Sequence, residues 1–306
     1  MTYSIPHLDL SDFRSDEVQK RHAFGLRLVE ALRECGFITL EGHSLDADLI
    51  ARSYDSAEAF FALPEIEKRR YAGALRGYTP FGQEHAKDRA VPDLKEFWQI
   101  GYETDAPDAR NVWPERPDDF RPVFQNLFDT LESIGRAVLS AIALGLSLDE
   151  DFFAGKIKGG TSLLRLIHYP PIPEDADPQC VRAAAHEDIN LLTLLVAAQG
   201  AGLEVKMRDG RWLPVNNAPE HLVIDTGDMM ARITNGVLPA TTHRVVNPVG
   251  PNVSRYSMPF FVQPRADVML ESLESCLQPG QTAAPPISTG AFLHQRLVEI
   301  GLVQED

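Results

Sequence analysis

The chain has 306 residues, and 44% of them are hydrophobic, which is enough apolar material for a substantial core. Acidic residues outnumber basic ones by 44 to 29, so the net charge of −15 argues against nucleic acid or an anionic membrane as a partner. The three cysteines are scattered and contain no CxxC pair, which argues against a disulfide framework or a zinc–thiolate site.

The first residues, Met1–Pro6, lack the basic and apolar pattern of a secretory signal. No apolar run approaches the roughly 20 residues that a membrane span requires. Together with the sparse cysteines, these features predict a cytoplasmic protein. They imply no protein partner.

The first half of the chain predicts mainly helices, with a short strand before each of the first two. The pattern predicts strands at 5–10 and 37–40 and helices at about 16–35, 46–62 and 122–146. Gly36 and Pro64 end the first two helices. Residues 73–122 are rich in Gly and Pro and are predicted to be irregular, and a loop region of that length is often functional.

From residue 161 the hydrophobic period changes from 3.6 to 2, which indicates short strands. We predict strands at 161–169, 190–197, 203–207, 211–215, 221–225, 229–233, 243–247 and 255–263. Many short strands with turns between them favour a sandwich, a barrel or a jelly roll. A last helix is predicted at 288–304, so the fold class is mainly β with flanking helices.

Two histidines and one carboxylate form the strongest candidate site. If His186 and Asp188 lie on one strand, their side chains point to the same face because strand residues alternate. His243 is far enough along the chain for intervening strands to run out and back. Two histidines and a carboxylate with open positions are typical of non-heme Fe(II) oxygenases. His221 is the natural competitor, and we interpret it as structural because it opens an apolar strand.

Arg255 is the next informative residue, because it lies in an otherwise apolar strand. A buried guanidinium needs an anionic partner, which could be an internal acidic residue or a substrate carboxylate. Ser257 is two residues further on and faces the same way. Tyr169, at the end of the 161–169 strand, could add a phenol or could pack in the core.

The ordered set of motifs resembles the isopenicillin N synthase-like branch of the Fe(II)/2-oxoglutarate-dependent dioxygenases over nearly the whole chain. The matching segments are Ile5–Leu10, Gly36–His43, Phe60–Pro64, Arg76–Tyr78, Val112–Pro114, His186–Asp188, Gly227–Asp228, Thr234–Gly236, His243–Val245 and Arg255 with Ser257.

This resemblance implies a distorted double-stranded β-helix, or jelly roll, that holds Fe(II) through His186, Asp188 and His243. It implies that Arg255 and Ser257 bind the distal carboxylate of 2-oxoglutarate near Tyr169. The whole chain, 1–306, would be one oxygenase domain, with a mainly helical layer at 1–150, the core at 151–270 and a tail with a helix at 271–306. The reaction would oxidise a small-molecule metabolite with O2 and release succinate and CO2.

Substrate contacts are expected from Arg76, Tyr78, Phe97 and Phe261, and a lid from the 73–122 region and the C-terminal helix. Two departures from most relatives, Ile167 and Glu187, leave an alternative. An oxidase that resembles isopenicillin N synthase would need no 2-oxoglutarate, and its Arg255 would hold a substrate carboxylate. A non-catalytic binding protein of the same fold is a remote second alternative.

Overall fold

The computed structural model describes residues 4–84, 91–103, 109–216, 218 and 220–299. Seven α-helices lie in this part of the chain: α1 (Val18–Cys35), α2 (Ala47–Phe61), α3 (Glu65–Lys68), α4 (Phe120–Gly145), α5 (Ala154–Ile157), α6 (Asp228–Ile233) and α7 (Thr289–Glu299). None of these helices is both long enough and apolar enough to cross a membrane.

Fourteen strands also lie in the described part of the chain. They are β1 (His7–Asp9), β2 (Phe37–Glu41), β3 (Tyr78–Thr79), β4 (Glu96–Gly101), β5 (Leu163–Tyr169), β6 (Ala183–His186), β7 (Leu192–Gln199), β8 (Leu203–Lys206), β9 (Trp212–Pro214), β10 (Leu222–Thr226), β11 (His243–Val245), β12 (Arg255–Val262), β13 (Met269–Leu270) and β14 (Ile287–Ser288).

Two sheets build the core. The large sheet has the order β1-β2-β10-β7-β12-β5-β4-β3, and the small sheet has the order β6-β11-β8-β9. Their inner faces share one apolar cluster, in which Phe37, Ile167 and Val223 of the large sheet meet Val205 and Val245 of the small sheet. The mainly β jelly-roll prediction is therefore confirmed.

The outer face of the large sheet packs against the helices. Phe260 of β12 meets Phe128 of α4 edge to face, with ring centroids 5.0 Å apart, inside the larger apolar cluster. Because strand residues alternate, Arg255 and Ser257 on the same strand point the other way, into the jelly roll. Because the helices cover one face of β12, only the residues on its other face can reach the interior of the jelly roll.

Local chemistry explains the helix ends that the sequence predicted. Gly36 ends α1 in a left-handed conformation, with φ of 69°, and its N–H donates to the carbonyl of Leu32. The helix is thereby followed at once by β2, which pairs with both β1 and β10. This turn places Phe37 directly behind the candidate metal site.

Three predictions of secondary structure were wrong. Strand β4 runs through the region 73–122 that was expected to be irregular, and it pairs with β5 over six residues. Its place between β5 and the edge strand β3 is a tertiary property that its Pro-rich flanks do not indicate. Residues 229–233 belong to helix α6, because a short apolar run does not distinguish a strand from a buried helix. Strand β6 ends at His186, so Asp188 lies beyond it.

Candidate active site

Strands β6 and β11 bring the two predicted metal-binding histidines together. His243 and His186 are paired directly across the antiparallel ladder, and their ring centroids are 4.4 Å apart. Asp188 Oδ1 lies 3.6 Å from His186 Nε2 and 3.7 Å from His243 Nε2. The three donor atoms therefore converge on one point, as the sequence predicted, although Asp188 reaches it from a loop.

Both imidazoles are held in the tautomer that a metal ion needs. His186 Nδ1 lies 2.8 Å from the carbonyl of Ala184, and His243 Nδ1 lies 3.2 Å from the carbonyl of Thr241. A carbonyl only accepts, so each Nδ1 carries the proton and each Nε2 presents its lone pair. The donor set therefore fits Fe(II), with two neutral imidazoles and one carboxylate on one side.

The Asp188 loop is fixed by its own hydrogen bonds. Asp188 Oδ2 accepts from the Thr193 hydroxyl, which accepts in turn from the Asn190 amide at 2.8 Å. Gly227 backs the loop so closely that a Cβ there would lie 2.2 Å from Asn190 Oδ1 and 2.7 Å from the Asp188 carbonyl. Glycine at 227 is therefore required for the carboxylate to reach its position.

Burial and neighbouring groups shift the pKa values of two residues at the site, His186 and Asp225. Burial, with a contribution from His243, lowers the pKa of His186. Burial and the neighbouring Asp188 raise the pKa of Asp225 well above its usual range. These shifts favour the protonated form of Asp225 and the unprotonated, ligand form of His186.

Arg255 supplies an anion-binding position inside the jelly roll. It is 2% exposed, and its Nε donates to the Ala201 carbonyl at 3.2 Å. Its Nη1 is buried without a hydrogen-bond partner, and no carboxylate pairs with it among the residues described. Tyr169 faces it across β5 and β12, with the guanidinium carbon 5.1 Å from the ring centroid. Ser257 is buried on the same strand face.

A second buried guanidinium, that of Arg182, was not predicted from the sequence. Arg182 is 3% exposed and donates to the Val253 carbonyl. Burial and the nearby charge of Arg255 lower its pKa. Two buried cations without carboxylate partners in the described part of the chain form a strongly anion-attracting pocket. The only feature of the sequence that could have indicated Arg182 is its charge, directly before a strand of small residues.

Phe97 and Phe261 lie beside a third arginine, Arg165 on β5. The Arg165 guanidinium carbon is 4.2 Å from the Phe97 ring centroid and 5.6 Å from that of Phe261. Glu84 accepts from Arg165 Nη1 at 3.1 Å with both oxygens, and Gln99 accepts at 2.8 Å. The two predicted pocket aromatics are thus brought together around a cation that the sequence analysis missed.

A buried charge cluster links this arginine to the metal site. Lys95 Nζ lies 2.9 Å from Asp93 and 3.5 Å from Glu84, and Asp93 accepts from the N–H of Ala184, two residues before His186. Burial opposes ionisation of Glu84, but Arg165 and Lys95 lower its pKa to about 2. Glu84 is therefore ionised and holds both cations in place.

Arg76 and Tyr78 occupy bracing positions, contrary to the expectation that they contact substrate. The Arg76 guanidinium is buried against the backbone and donates to the carbonyl of Ala109. Tyr78 is 1% exposed and donates to Glu96 within an aromatic cluster around Phe60. We therefore assign both side chains to support of strand β4, because both are buried and because Arg76 Nη1 and the Tyr78 hydroxyl are already hydrogen-bonded.

The C-terminal helix is anchored beside the ligand loop. Arg296 Nε of α7 lies 3.0 Å from Asp228 Oδ2, and the N–H of Asp228 donates to the Asp188 carbonyl at 2.9 Å. Burial raises the pKa of Asp228 to about 7, although Arg296 opposes the shift. The lid role expected of this helix stays a prediction, and residues 300–304 of the predicted 288–304 helix lie outside the described part.

A jelly roll with two histidines and one carboxylate on one face defines a mononuclear non-heme iron oxygenase. Comparison with protein families agrees with this class. Residues 5–116 match the family described as non-haem dioxygenase in morphine synthesis N-terminal, and residues 160–264 match the 2OG-Fe(II) oxygenase superfamily.

Individual relatives extend over nearly the whole chain. A 2-oxoglutarate-Fe(II) type oxidoreductase of Aspergillus fumigatus is 31% identical, with 93% of this chain and 89% of the relative covered. A 2OG-Fe(II) oxygenase family protein from Caulobacter crescentus is 41% identical with a TM-score of 0.87, over 97% of this chain and 99% of that one. Neurospora crassa T7H, solved with alpha-KG and thymine, is 29% identical with a TM-score of 0.87 over 96% of each chain.

The chain therefore belongs to the 2OG-Fe(II) oxygenase superfamily and is a 2-oxoglutarate-dependent dioxygenase. The resemblance read from the sequence motifs is confirmed. Its cofactor is Fe(II), with 2-oxoglutarate and O2 as cosubstrates.

Proposed function

We propose that His186, Asp188 and His243 hold the catalytic Fe(II) and that the enzyme oxidises a small molecule next to it. The observation that carries this proposal is the convergence of three donor atoms whose orientation is already fixed by hydrogen bonds. The chemistry that bound Fe(II) supplies is the oxidative decarboxylation of 2-oxoglutarate by O2, coupled to oxidation of the substrate. The protein binds and orients the reactants.

The proposed position for the distal carboxylate of 2-oxoglutarate is the unpartnered Nη1 edge of Arg255. A buried guanidinium that lacks a carboxylate partner strongly favours an anionic ligand, because folding has already removed the water around it. Ser257 can add a hydroxyl donor, and Tyr169 limits the space over the guanidinium. Arg182 adds a second positive charge that favours the same dianion.

The proposed substrate is a small molecule with a flat or apolar part and at least one hydrogen-bond acceptor. Phe97 and Phe261 offer aromatic surface, and Arg165 between them offers N–H donors and positive charge. Glu84 and Gln99 keep this guanidinium in place. The thymine in the Neurospora structure is a flat molecule of this kind, bound by that protein.

A cytoplasmic location is proposed on the chemistry of the cysteines. Cys35, Cys180 and Cys276 are all buried and unpaired. Thiols of this kind persist in a reducing compartment.

Anaerobic titration of the Fe(II)-loaded protein with 2-oxoglutarate tests the central proposal. We expect a weak visible charge-transfer band that saturates, and in Arg255→Ala we expect the band to saturate only at higher 2-oxoglutarate concentrations. Arg244→Ala is the matched control, because Arg244 pairs with Glu204 at 2.7 Å outside this pocket. If iron binds and no band forms, the cosubstrate assignment of Arg255 and Ser257 is wrong.

A further inference from the structure

A second cluster of metal-binding groups lies at the margin of the large sheet, on three neighbouring strands. His7 is on β1, Glu41 ends β2 and His221 precedes β10, and β2 pairs with both of the other strands. His7 Nε2 lies 3.1 Å from Glu41 Oε1, and His221 Nε2 lies 3.6 Å from Glu41 Oε2. One donor atom from each residue lies within 4.8 Å of the others.

These distances suit a small divalent cation. Donors bound to a tetrahedral zinc ion at about 2.0–2.1 Å lie about 3.3 Å from each other. The two separations, each to a different carboxylate oxygen of Glu41, fall on either side of that value. The His7 and His221 rings are also in contact, with centroids 4.6 Å apart and tilted by 33° to each other. The rings are thus packed side by side toward the same carboxylate.

Hydrogen bonding orients His7 for a cation. The Thr39 hydroxyl lies 3.4 Å from the Pro6 carbonyl, to which it donates, and it accepts from His7 Nδ1 at 3.0 Å. Nδ1 then carries the proton of a neutral ring, and the Nε2 lone pair faces the Glu41 carboxylate. Two acceptors at 3.1 Å repel each other unless a proton or a metal ion lies between them. A hydrogen bond to the remote ring nitrogen is also typical of metal-bound histidine.

The neighbouring His43 is not available as a fourth ligand. Its Nε2 is 2.8 Å from the Glu220 carbonyl, and its Nδ1 accepts from the N–H of Leu45 at 3.3 Å. Because the cluster is partly exposed, water can complete the coordination.

We propose that His7, Glu41 and His221 bind a divalent transition-metal ion, of which Zn2+ is the test case, separately from the catalytic iron. Two imidazoles and a carboxylate suit Zn2+, Ni2+ and Cu2+ more than Mg2+ or Ca2+. The bound ion joins β1 to β10 across β2, so it stabilises the attachment of the N-terminal strand. It contributes no group to the oxidation.

Equilibrium dialysis against Zn2+ tests the proposal, because zinc also suits the catalytic ligands and the stoichiometries separate the two sites. We expect two zinc ions per wild-type chain, one in Glu41→Gln, one in His221→Asn and one in Asp188→Ala. His22→Asn, which changes an exposed histidine of α1, is the matched control and keeps two. In the Asp188→Ala background, added Zn2+ raises the melting temperature, and Glu41→Gln abolishes that rise.

The proposal is overturned if the wild-type chain binds a single zinc ion that Asp188→Ala removes. It is also overturned if Glu41→Gln and His221→Asn each retain the second ion within about threefold of the wild-type affinity. Loss of the second zinc ion in Glu41→Gln but not in His221→Asn would show that His221 is not a ligand. That result would also contradict the proposed three-ligand site. The losses in Glu41→Gln and His221→Asn, each compared with wild type, do not depend on whether the catalytic assignment is correct.

Discussion

His186 and His243 face each other as a direct pair across β6 and β11, with ring centroids 4.4 Å apart. Strand register thus fixes the distance between two metal ligands that are remote in sequence. The edge of the Phe37 ring packs on His243 at 5.6 Å between centroids, so the site is supported from the large sheet too. A one-residue slip of β11 would turn His243 to the other face of the sheet.

Replacement of Asp188 by Ala should abolish iron binding and turnover, because it removes one of three ligands and the negative charge between two imidazoles. We expect the affinity for Fe(II) to fall by about 100-fold or more. The measurement is anaerobic iron titration, with succinate release as the second readout. Glu187→Ala is the matched control, because this carboxylate lies between the two ligands in sequence but is exposed, and it accepts from the Thr242 hydroxyl at 3.1 Å. Full activity of Asp188→Ala would refute the ligand assignment.

Replacement of Arg255 by Ala should weaken 2-oxoglutarate binding by about 10- to 100-fold and leave iron binding nearly unchanged. The loss corresponds to removal of a charge-assisted hydrogen bond from a buried site. Titration of the visible band measures the first effect, and iron titration measures the second. An equal loss of both would instead indicate that the variant disturbs the fold.

Replacement of Arg165 by Met should impair use of the substrate and leave the binding of 2-oxoglutarate intact. A panel of flat small molecules, including thymine, identifies the compound that most stimulates succinate release by the wild-type protein. We expect the variant to show at least a tenfold higher KM for that compound, because it loses the cation between Phe97 and Phe261. Arg136→Met, at a surface ion pair of α4, should behave as wild type. An unchanged KM would exclude Arg165 from substrate recognition.

The ionised Glu84 carboxylate should stabilise the folded apoprotein near neutral pH, and this stabilisation should be lost in acid. Its folded-state pKa of about 2 is below the ordinary value of 4.5, so its ionised form favours folding above pH 4.5. That contribution is lost as the pH falls from 4.5 towards 2. Urea unfolding at pH 6 and pH 3 should therefore show that Glu84→Gln is less stable than wild type at pH 6 and that the gap narrows at pH 3. A gap of constant size would show that ionisation of Glu84 does not stabilise the fold.

The buried pair of Lys68 and Glu96 should matter for stability because it supports strand β4. Lys68 Nζ lies 2.7 Å from Glu96, which also bonds to His168 at 2.7 Å and to Tyr78. Lys68→Met leaves a buried carboxylate with one partner fewer, at a cost of about 3 kcal/mol. Chemical denaturation measures this change in the free energy of unfolding. Arg69→Ala, at an exposed pair with Glu65, should cost about 0.5 kcal/mol or less.

Much of the fold could be predicted because local patterns are strong where one face of an element is buried. The long helix α4 and the strands β5, β7 and β12 follow from hydrophobic period alone. Strand β4 did not, because its neighbours in sequence are turn-forming and its pairing with β5 is set by distant residues. Helix α6 did not, because six residues are too few to show a period.

The sequence by itself determined which residues bind metal, because two histidines and a carboxylate at recognisable positions carry their chemistry with them. The sequence also indicated Arg255 as a candidate binding residue, since a charged side chain in an apolar strand requires an anionic partner. Only the tertiary structure decided that Arg165 and Arg182 line the interior and that Arg76 and Tyr78 brace the fold. The physical reason is that a long polar side chain has no intrinsic role. Its role depends on which partners the packed strands bring within hydrogen-bonding distance, and those partners are far away in the chain.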